Sequence, residues 1–187
     1  MDFLITSLAS CRTEDQDSLR SGAEAVFWET ANTTEFSSPV ERAAFQWRYF
    51  GYYAARAPRF FLVAYSRDPH RRILGYICGV ADTRAHRELY EVAAHVPLFD
   101  DLYEGFPAHL HINLTADSRG MGLGGRLIDA LSTAVAAEGS AGIHLVTSPG
   151  ARNVSFYRRQ GFSEEVQRPL PAAGGPAVPL LFLGKSL

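Results

Sequence analysis

An α/β fold, built on a mixed and mostly antiparallel central sheet with helices on both faces, is predicted by three features of this 187-residue chain. From His109 to Gln160 the residues read strand, glycine turn, helix, strand, helix, a βαβα unit whose two strands are expected to lie parallel. Short β-rich runs joined by polar turns flank that unit and predict antiparallel hairpins. Neither a repeat nor a linker divides the chain, and its length suits one sizeable core, so residues 1–187 are expected to form a single domain.

Residues 3–8 are β-rich and read as the first strand. Thr13, Asp15 or Asp17 is expected to cap a helix running to about Thr30, with Leu19, Ala23, Val26 and Phe27 on one face. A loop over 32–39 leads to a second helix over 40–57, rich in aromatic residues and stopped by Pro58. Residues 60–65 and Ile73–Val80 predict two strands around a polar turn. The stretch 82–106 carries the weakest pattern and reads as a partly helical excursion with a loop at 97–106. Clear signals resume with a strand at 109–114, a helix at 123–138 and a strand at 143–147. Ser148 as N-cap and Pro149 at the first position predict a last helix, closed at Gln160 by a left-handed Gly161. Two strands near 163–167 and 179–184, separated by a Pro/Gly/Ala-rich loop, complete the chain.

Composition narrows the function classes. The chain is 47% hydrophobic and 20% charged, ordinary for a globular protein, and its net charge of −2 gives no broad basic surface for nucleic acid. Cys11 and Cys78 form neither a disulfide framework nor a metal pattern and read as the reduced thiols of a cytoplasmic protein. No run approaches the ~20 apolar residues of a membrane span, so no membrane partner is expected. Leu8-Ala9-Ser10-Cys11 looks like a bacterial lipoprotein cleavage site, but the segment before it is short and carries Asp2 where a basic residue is expected.

The most informative passage is Arg119-Gly120-Met121-Gly122-Leu123-Gly124-Gly125, between a strand and a helix. Backbone N–H groups at such a turn lack intrahelical partners and lie at the positive end of the helix dipole, where phosphates bind. A P-loop is excluded, because Gly125 is followed by Arg126-Leu127 rather than Lys-Ser or Lys-Thr. The dinucleotide spacing is met by Gly120, Gly122 and Gly125, yet the acidic residue due about 20 positions on is replaced by Val146-Thr147-Ser148-Pro149. A third spacing, Arg-x-x-Gly-x-Gly, is met by Arg119, Gly122 and Gly124.

With Phe156-Tyr157-Arg158-Arg159-Gln160-Gly161-Phe162 following at this distance, the chain resembles the GNAT family of acyl-CoA-dependent N-acetyltransferases over residues 108–165. The lead-in Pro107-Ala108-His109-Leu110-His111-Ile112 looks most like the acetyltransferase-like domains found alone in bacteria or attached to O-GlcNAcases. The resemblance implies a GNAT fold with a splayed parallel strand pair, acetyl-CoA as co-substrate and no metal. It implies that the amides of Gly120, Met121, Gly122, Leu123, Gly124 and Gly125, with Arg119, hold the coenzyme diphosphate. Ile112, Asn113, Leu114 and Thr115 would pair with the pantetheine arm like a strand edge, a backbone N–H near Leu114 polarising the thioester carbonyl. Tyr157, beside Phe156, occupies the position of the tyrosine that protonates the departing thiolate. The asparagine frequent seven residues earlier is Gly150 here, and Asn153 either contacts the coenzyme or faces solvent.

For the general base, His109, His111 and Asn113 share one face of their strand, with His111 best placed, His109 second and Asp82 third. Trp28, Glu29, Phe36, Trp47, Tyr49, Tyr52 and Tyr53 are candidates to line the acceptor site. The expected activity is acetyl transfer to an amine of a small molecule or protein, by a monomer or homodimer. The alternative is an inactive acyl-CoA-binding or interaction module.

Overall fold

The computed structural model describes residues 2–172 and 175–187. They group into two units, each made of two chain segments: Met1–Gly79 with His111–Ala134, and Val80–Leu110 with Val135–Leu187. In the first unit, strands β1 (Phe3–Ser7), β2 (Phe61–Ser66), β3 (Ile73–Val80) and β4 (Ala108–Leu114) follow one another in the sheet. Phe3 pairs with Ser66 across β1 and β2, and β2 and β3 form the expected hairpin, with a register shift between Ala64 and Tyr65. Phe50, Phe61 and Tyr76 are fully buried there, Phe61 and Tyr76 stacked at 5.2 Å and Phe50 edge-on to both. Such ring pairs are worth about 0.5–1.5 kcal/mol each beyond their area.

Helix α1 (Thr13–Thr30) buries Leu19, Ala23, Val26 and Phe27, the four residues whose spacing predicts the face. Its N-cap is Arg12, with no side-chain capping bond, so none of Thr13, Asp15 and Asp17 has the expected role. Thr13 already lies in the first turn, where Glu14 and Asp15 meet the positive dipole end instead. Helix α2 (Pro39–Gln46) starts on a reciprocal cap. Ser38 Oγ accepts from the Glu41 N–H at 3.2 Å, and the Glu41 carboxylate accepts from Ser37 N–H at 2.7 Å. The expected helix over 40–57 is not regular. It widens into a π turn at Trp47–Gly51, closed by the Tyr52 N–H on the Trp47 carbonyl, and continues as α3 (Tyr52–Arg56).

In the second unit the strand order is β4, β5 (Gly142–Thr147), β7 (Val178–Ser186) and β6 (Glu164–Leu170). The parallel pairing of β4 and β5 predicted by the βαβα pattern is present, Ala108 opposite Ile143 and His109 opposite His144. β7 runs antiparallel to both β5 and β6. The poorly patterned stretch contains α4 (Glu88–Val92) and a 3₁₀ turn at Pro97–Leu102. Helix α5 is Leu123–Ala136 and α6 is Val154–Arg159. Asn153, not Ser148, is the N-cap of α6, and Pro149 lies in the turns before it, where Ala151 N–H bonds Ser148 O and Val154 N–H bonds Ala151 O. Gly150 directly after Pro149 disfavours a continuous helix there. Gly161 has φ 88° and closes α6 as expected. Part of the predicted loop between the last strands, at 173–174, lies outside the described residues.

His144 is enclosed in this unit. Its ring stacks between Tyr103 at 4.7 Å and Phe182 at 4.8 Å, and its Nδ1–H donates to the Phe106 carbonyl at 2.7 Å. Burial pushes its pKa down to about 3, so the ring is held neutral. Among the described residues, no helix is long and apolar enough to cross a membrane.

Candidate functional site

The glycine turn has the geometry of an anion cradle. Gly120 and Gly122 have φ 76° and 77°, and a Cβ built on either would meet nothing within 4 Å. The space against the backbone is therefore open, and a left-handed φ suits glycine alone without strain. The first bond of α5 runs from Arg126 N–H to Gly122 O at 3.2 Å, which leaves the N–H groups of Leu123, Gly124 and Gly125 ahead of the intrahelical ladder. Gly120, Met121 and Gly122 are exposed, Gly125 is half-buried, and Leu123 and Gly124 are buried. Arg119 is exposed and donates to the Leu114 carbonyl at 3.3 Å, while the Arg126 guanidinium lies 5.3 Å from the Phe3 ring.

The segment leading into the turn is pinned by side chains. Thr115 N–H and Ser118 Oγ both donate to the Leu74 carbonyl, at 3.0 and 2.7 Å. Asp117 accepts from Arg72 at 2.5 Å and from Thr115 Oγ1 at 2.8 Å, and the Arg72 bond, with the smaller Thr115 bond, holds its carboxyl below the usual range. The Thr115 hydroxyl is thus spent on the loop. Asn113 Nδ2 donates to Thr30 Oγ1 at 2.5 Å, tying β4 to the end of α1. Ile112 and Leu114 are half-buried. A Cβ at Gly75 would lie 2.5 Å from Leu114 and 2.7 Å from the Asn113 carbonyl, so β3 and β4 approach closely here.

His111 lies among rings. Its Nε2 is 3.0 Å from Tyr53 Oη, its ring meets Tyr49 edge-on at 5.5 Å, and the Tyr53 ring is 5.1 Å away. Trp28, Phe36, Phe45 and Tyr49 continue outward as a ladder of ring contacts of 6.1, 5.3 and 5.0 Å. Of the other acceptor-site candidates, Tyr52 is buried, Trp47 is 36% exposed and edge-on to Tyr52, and Glu29 is exposed. Sequence reasoning missed Arg42, whose guanidinium lies 3.7 Å over the Trp28 ring, and Arg48, 5.7 Å from the Tyr49 ring. Their order in the chain held no signal, since the π turn sets where Arg48 falls.

His109 and Asp82 have structural partners. Thr83 Oγ1 donates to the Pro107 carbonyl at 2.8 Å, so the 2.8 Å contact with His109 is a bond from His109 Nδ1–H to Thr83. Asp82 accepts from the Arg84 N–H at 2.9 Å. In α6, Tyr157 is buried against Phe162 at 5.7 Å and Phe156 at 5.2 Å, and its N–H bonds the Asn153 carbonyl at 3.1 Å. Desolvation pushes its hydroxyl up to about 12, so the phenol keeps its proton. Asn153 is exposed, and its side chain caps nothing. Among the described residues, no group of three or more His, Cys, Asp or Glu side chains is placed to hold a metal ion.

A model of the acetyltransferase (GNAT) domain family matches residues 57–164. The chain belongs to the GNAT family. The matched span draws on segments of both units. Solved structures share the GNAT fold along nearly their whole length. SsHAT is 22% identical with a TM-score of 0.65, covering 100% of this chain and 98% of its own. The Drosophila melanogaster polyamine N-acetyltransferase, which forms N-acetylagmatine, is 11% identical with a TM-score of 0.65 and complete coverage of both chains. YncA of Salmonella typhimurium, solved with acetyl-CoA, is 17% identical with a TM-score of 0.59, covering 99% of this chain and 94% of its own. The mixed sheet with one parallel pair that the sequence predicts is the sheet of this GNAT chain.

Proposed function

We propose that this GNAT chain is an acetyl-CoA-dependent N-acetyltransferase that moves the acetyl group directly to an amine. The observation that carries the reading is the pair of left-handed glycines, Gly120 and Gly122, with open space where side chains would stand. Together with the orphan amides of the first turn of α5, they fit a diphosphate, and Arg119 adds charge. The solved YncA complex supports acetyl-CoA as the co-substrate.

In this reading Ile112, Asn113, Leu114 and Thr115 supply main-chain groups to the pantetheine arm, and an N–H near Leu114 polarises the thioester carbonyl. His111 takes the proton of the incoming ammonium, with Tyr53 orienting its ring. The amine nitrogen bonds the acetyl carbon, the carbon–sulfur bond breaks, Tyr157 gives its proton to the sulfur, and the second proton shed by the nitrogen as it becomes an amide passes through solvent to restore the phenol. For a free phenol that donation is uphill by roughly 2 kcal/mol, from pKa values of about 10 and 8.5. With Tyr157 pushed up to about 12, it is uphill by roughly 5 kcal/mol against a solvated thiolate. A thiolate released into a dry site is a stronger base than one in water, which recovers part of that difference. Phe156 packs beside Tyr157, and Asn153 at the start of α6 is assigned a coenzyme contact.

The test is calorimetric titration with acetyl-CoA, followed by measurement of free thiol release across a panel of amines. Binding plus amine-dependent thiol release supports the enzyme. Tight binding with no release above hydrolysis marks a coenzyme-binding module instead, and no binding removes the reading altogether.

A further inference from the structure

Helix α2 ends in the π turn at Trp47–Gly51, and that turn carries Arg48 and Tyr49. Wide turns of this kind insert one extra residue and are frequent where side chains serve a site. Here the insertion brings Tyr49 as well as Tyr53 onto His111. One aromatic ring, that of Tyr49, then separates the His111 imidazole from the Arg48 guanidinium. Arg48 Nε is buried and has no hydrogen-bond partner among the described residues. A buried N–H on a charged group is costly unless an acceptor reaches it, and carboxylates match a guanidinium in shape as well as charge.

The surroundings point the same way. The π face of Trp28, the best local receptor for an ammonium, is covered by the chain's own Arg42 at 3.7 Å. Two of the nearby carboxylates are engaged, Glu24 by the Gln46 amide at 3.2 Å and Glu41 by Ser37 at 2.6 Å, and the third, Glu29, is exposed. A polycationic acceptor would meet two guanidiniums and find the aromatic face occupied.

We infer that the acceptor is a small primary amine that also carries a carboxylate, with Arg48 pairing the carboxylate and His111 lying beside the amine. The inference rests on the acetyltransferase reading, and the bond changes are those given above: the N–C bond forms, the C–S bond breaks, one ammonium proton passes to His111, Tyr157 protonates the sulfur, and the second nitrogen proton restores the phenol through solvent.

The experiment compares thiol release from acetyl-CoA with matched acceptors: an aromatic and an aliphatic amino acid, their amides, and the corresponding decarboxylated amines, with a polyamine alongside. The free carboxylate is expected to raise kcat/KM by about tenfold or more over its amide and its decarboxylated match, mostly through KM. Arg48→Gln is expected to collapse that ratio and Arg48→Lys to restore part of it, each variant first checked for an unchanged melting temperature. Should Arg48→Gln not fold, the Lys variant and the matched acceptors still decide. Preference for amides, decarboxylated amines or the polyamine overturns the inference and leaves the acetyltransferase standing, as does a carboxylate preference that survives loss of Arg48. Silence across the whole panel overturns both.

Discussion

Acid should weaken this protein through His144 before any carboxylate titrates. The ring is held neutral with its pKa at about 3, against 6.5 for an ordinary histidine. Below pH 6.5 the unfolded chain accepts a proton that the folded chain refuses, so this stabilisation is complete above that pH and is lost as pH falls toward 3. Each unit of pH in that window costs up to about 1.4 kcal/mol, which gives roughly 2 kcal/mol lost by pH 5 and an upper limit near 5 kcal/mol at the acid end. Asp100, Asp101, Asp117 and Glu165 are held below their ordinary values chiefly by side-chain bonds, from Tyr90, Arg168, Arg72 and Arg158 respectively, so their stabilisation is intact above the ordinary carboxylate range and is lost only as pH falls below it. The control is His144→Phe, which keeps the stack with Tyr103 and Phe182 but cannot titrate. It leaves the Phe106 carbonyl without its donor, costing about 1–3 kcal/mol at every pH. The informative quantity is therefore the slope. Urea unfolding of both proteins between pH 7.5 and 5 should show the stability difference narrowing by about 2 kcal/mol. Parallel curves would refute the argument that burial keeps this ring unprotonated.

Tyr157→Phe is expected to lower kcat by about 100-fold or more while acetyl-CoA affinity holds, measured by steady-state kinetics and calorimetry. Gly122→Val removes the only residue type that adopts φ 77° without strain and fills the open cradle. It should raise the acetyl-CoA Kd about tenfold or more and lower the melting temperature through a strain of about 1–2 kcal/mol. Gly75→Ala drives a methyl against the Asn113 carbonyl and Leu114, and should cost about 1–3 kcal/mol in urea unfolding. Because that strain falls on the edge assigned to pantetheine, acetyl-CoA affinity should drop with it.

Periodicity carried most of the fold. The face Leu19, Ala23, Val26 and Phe27 was readable because an 18-residue helix repeats its burial pattern several times. The bounds of β3 were readable because a polar turn precedes it and every residue from Leu74 onward is buried. The α6 cap was misread because Ser-Pro opens helices so often that Gly150, one residue on, was underweighted. The short α4 and the 3₁₀ turn after it fall below the length at which periodicity registers. At the site, the left-handed turn at Gly120 and Gly122 was legible from glycine spacing, since left-handed backbone leaves a mark on residue type. The Tyr53–His111 contact and the orphan Nε of Arg48 left none, because both arise from packing between segments distant in the chain or from a helical irregularity.

The wide turn at Trp47–Gly51 makes side-chain placement a matter of counting. Removing a single residue there would let the helix close with regular spacing while the segments on either side kept their faces, so the change would fall on the side chains of the turn itself. The seat of Arg48 beside Tyr49 and the contact of Tyr49 with His111 would go together, while the Arg42 stack on Trp28 and the helical content barely changed. A one-residue deletion, silent in composition and nearly silent in circular dichroism, would thus be enough to retune which molecules this scaffold admits.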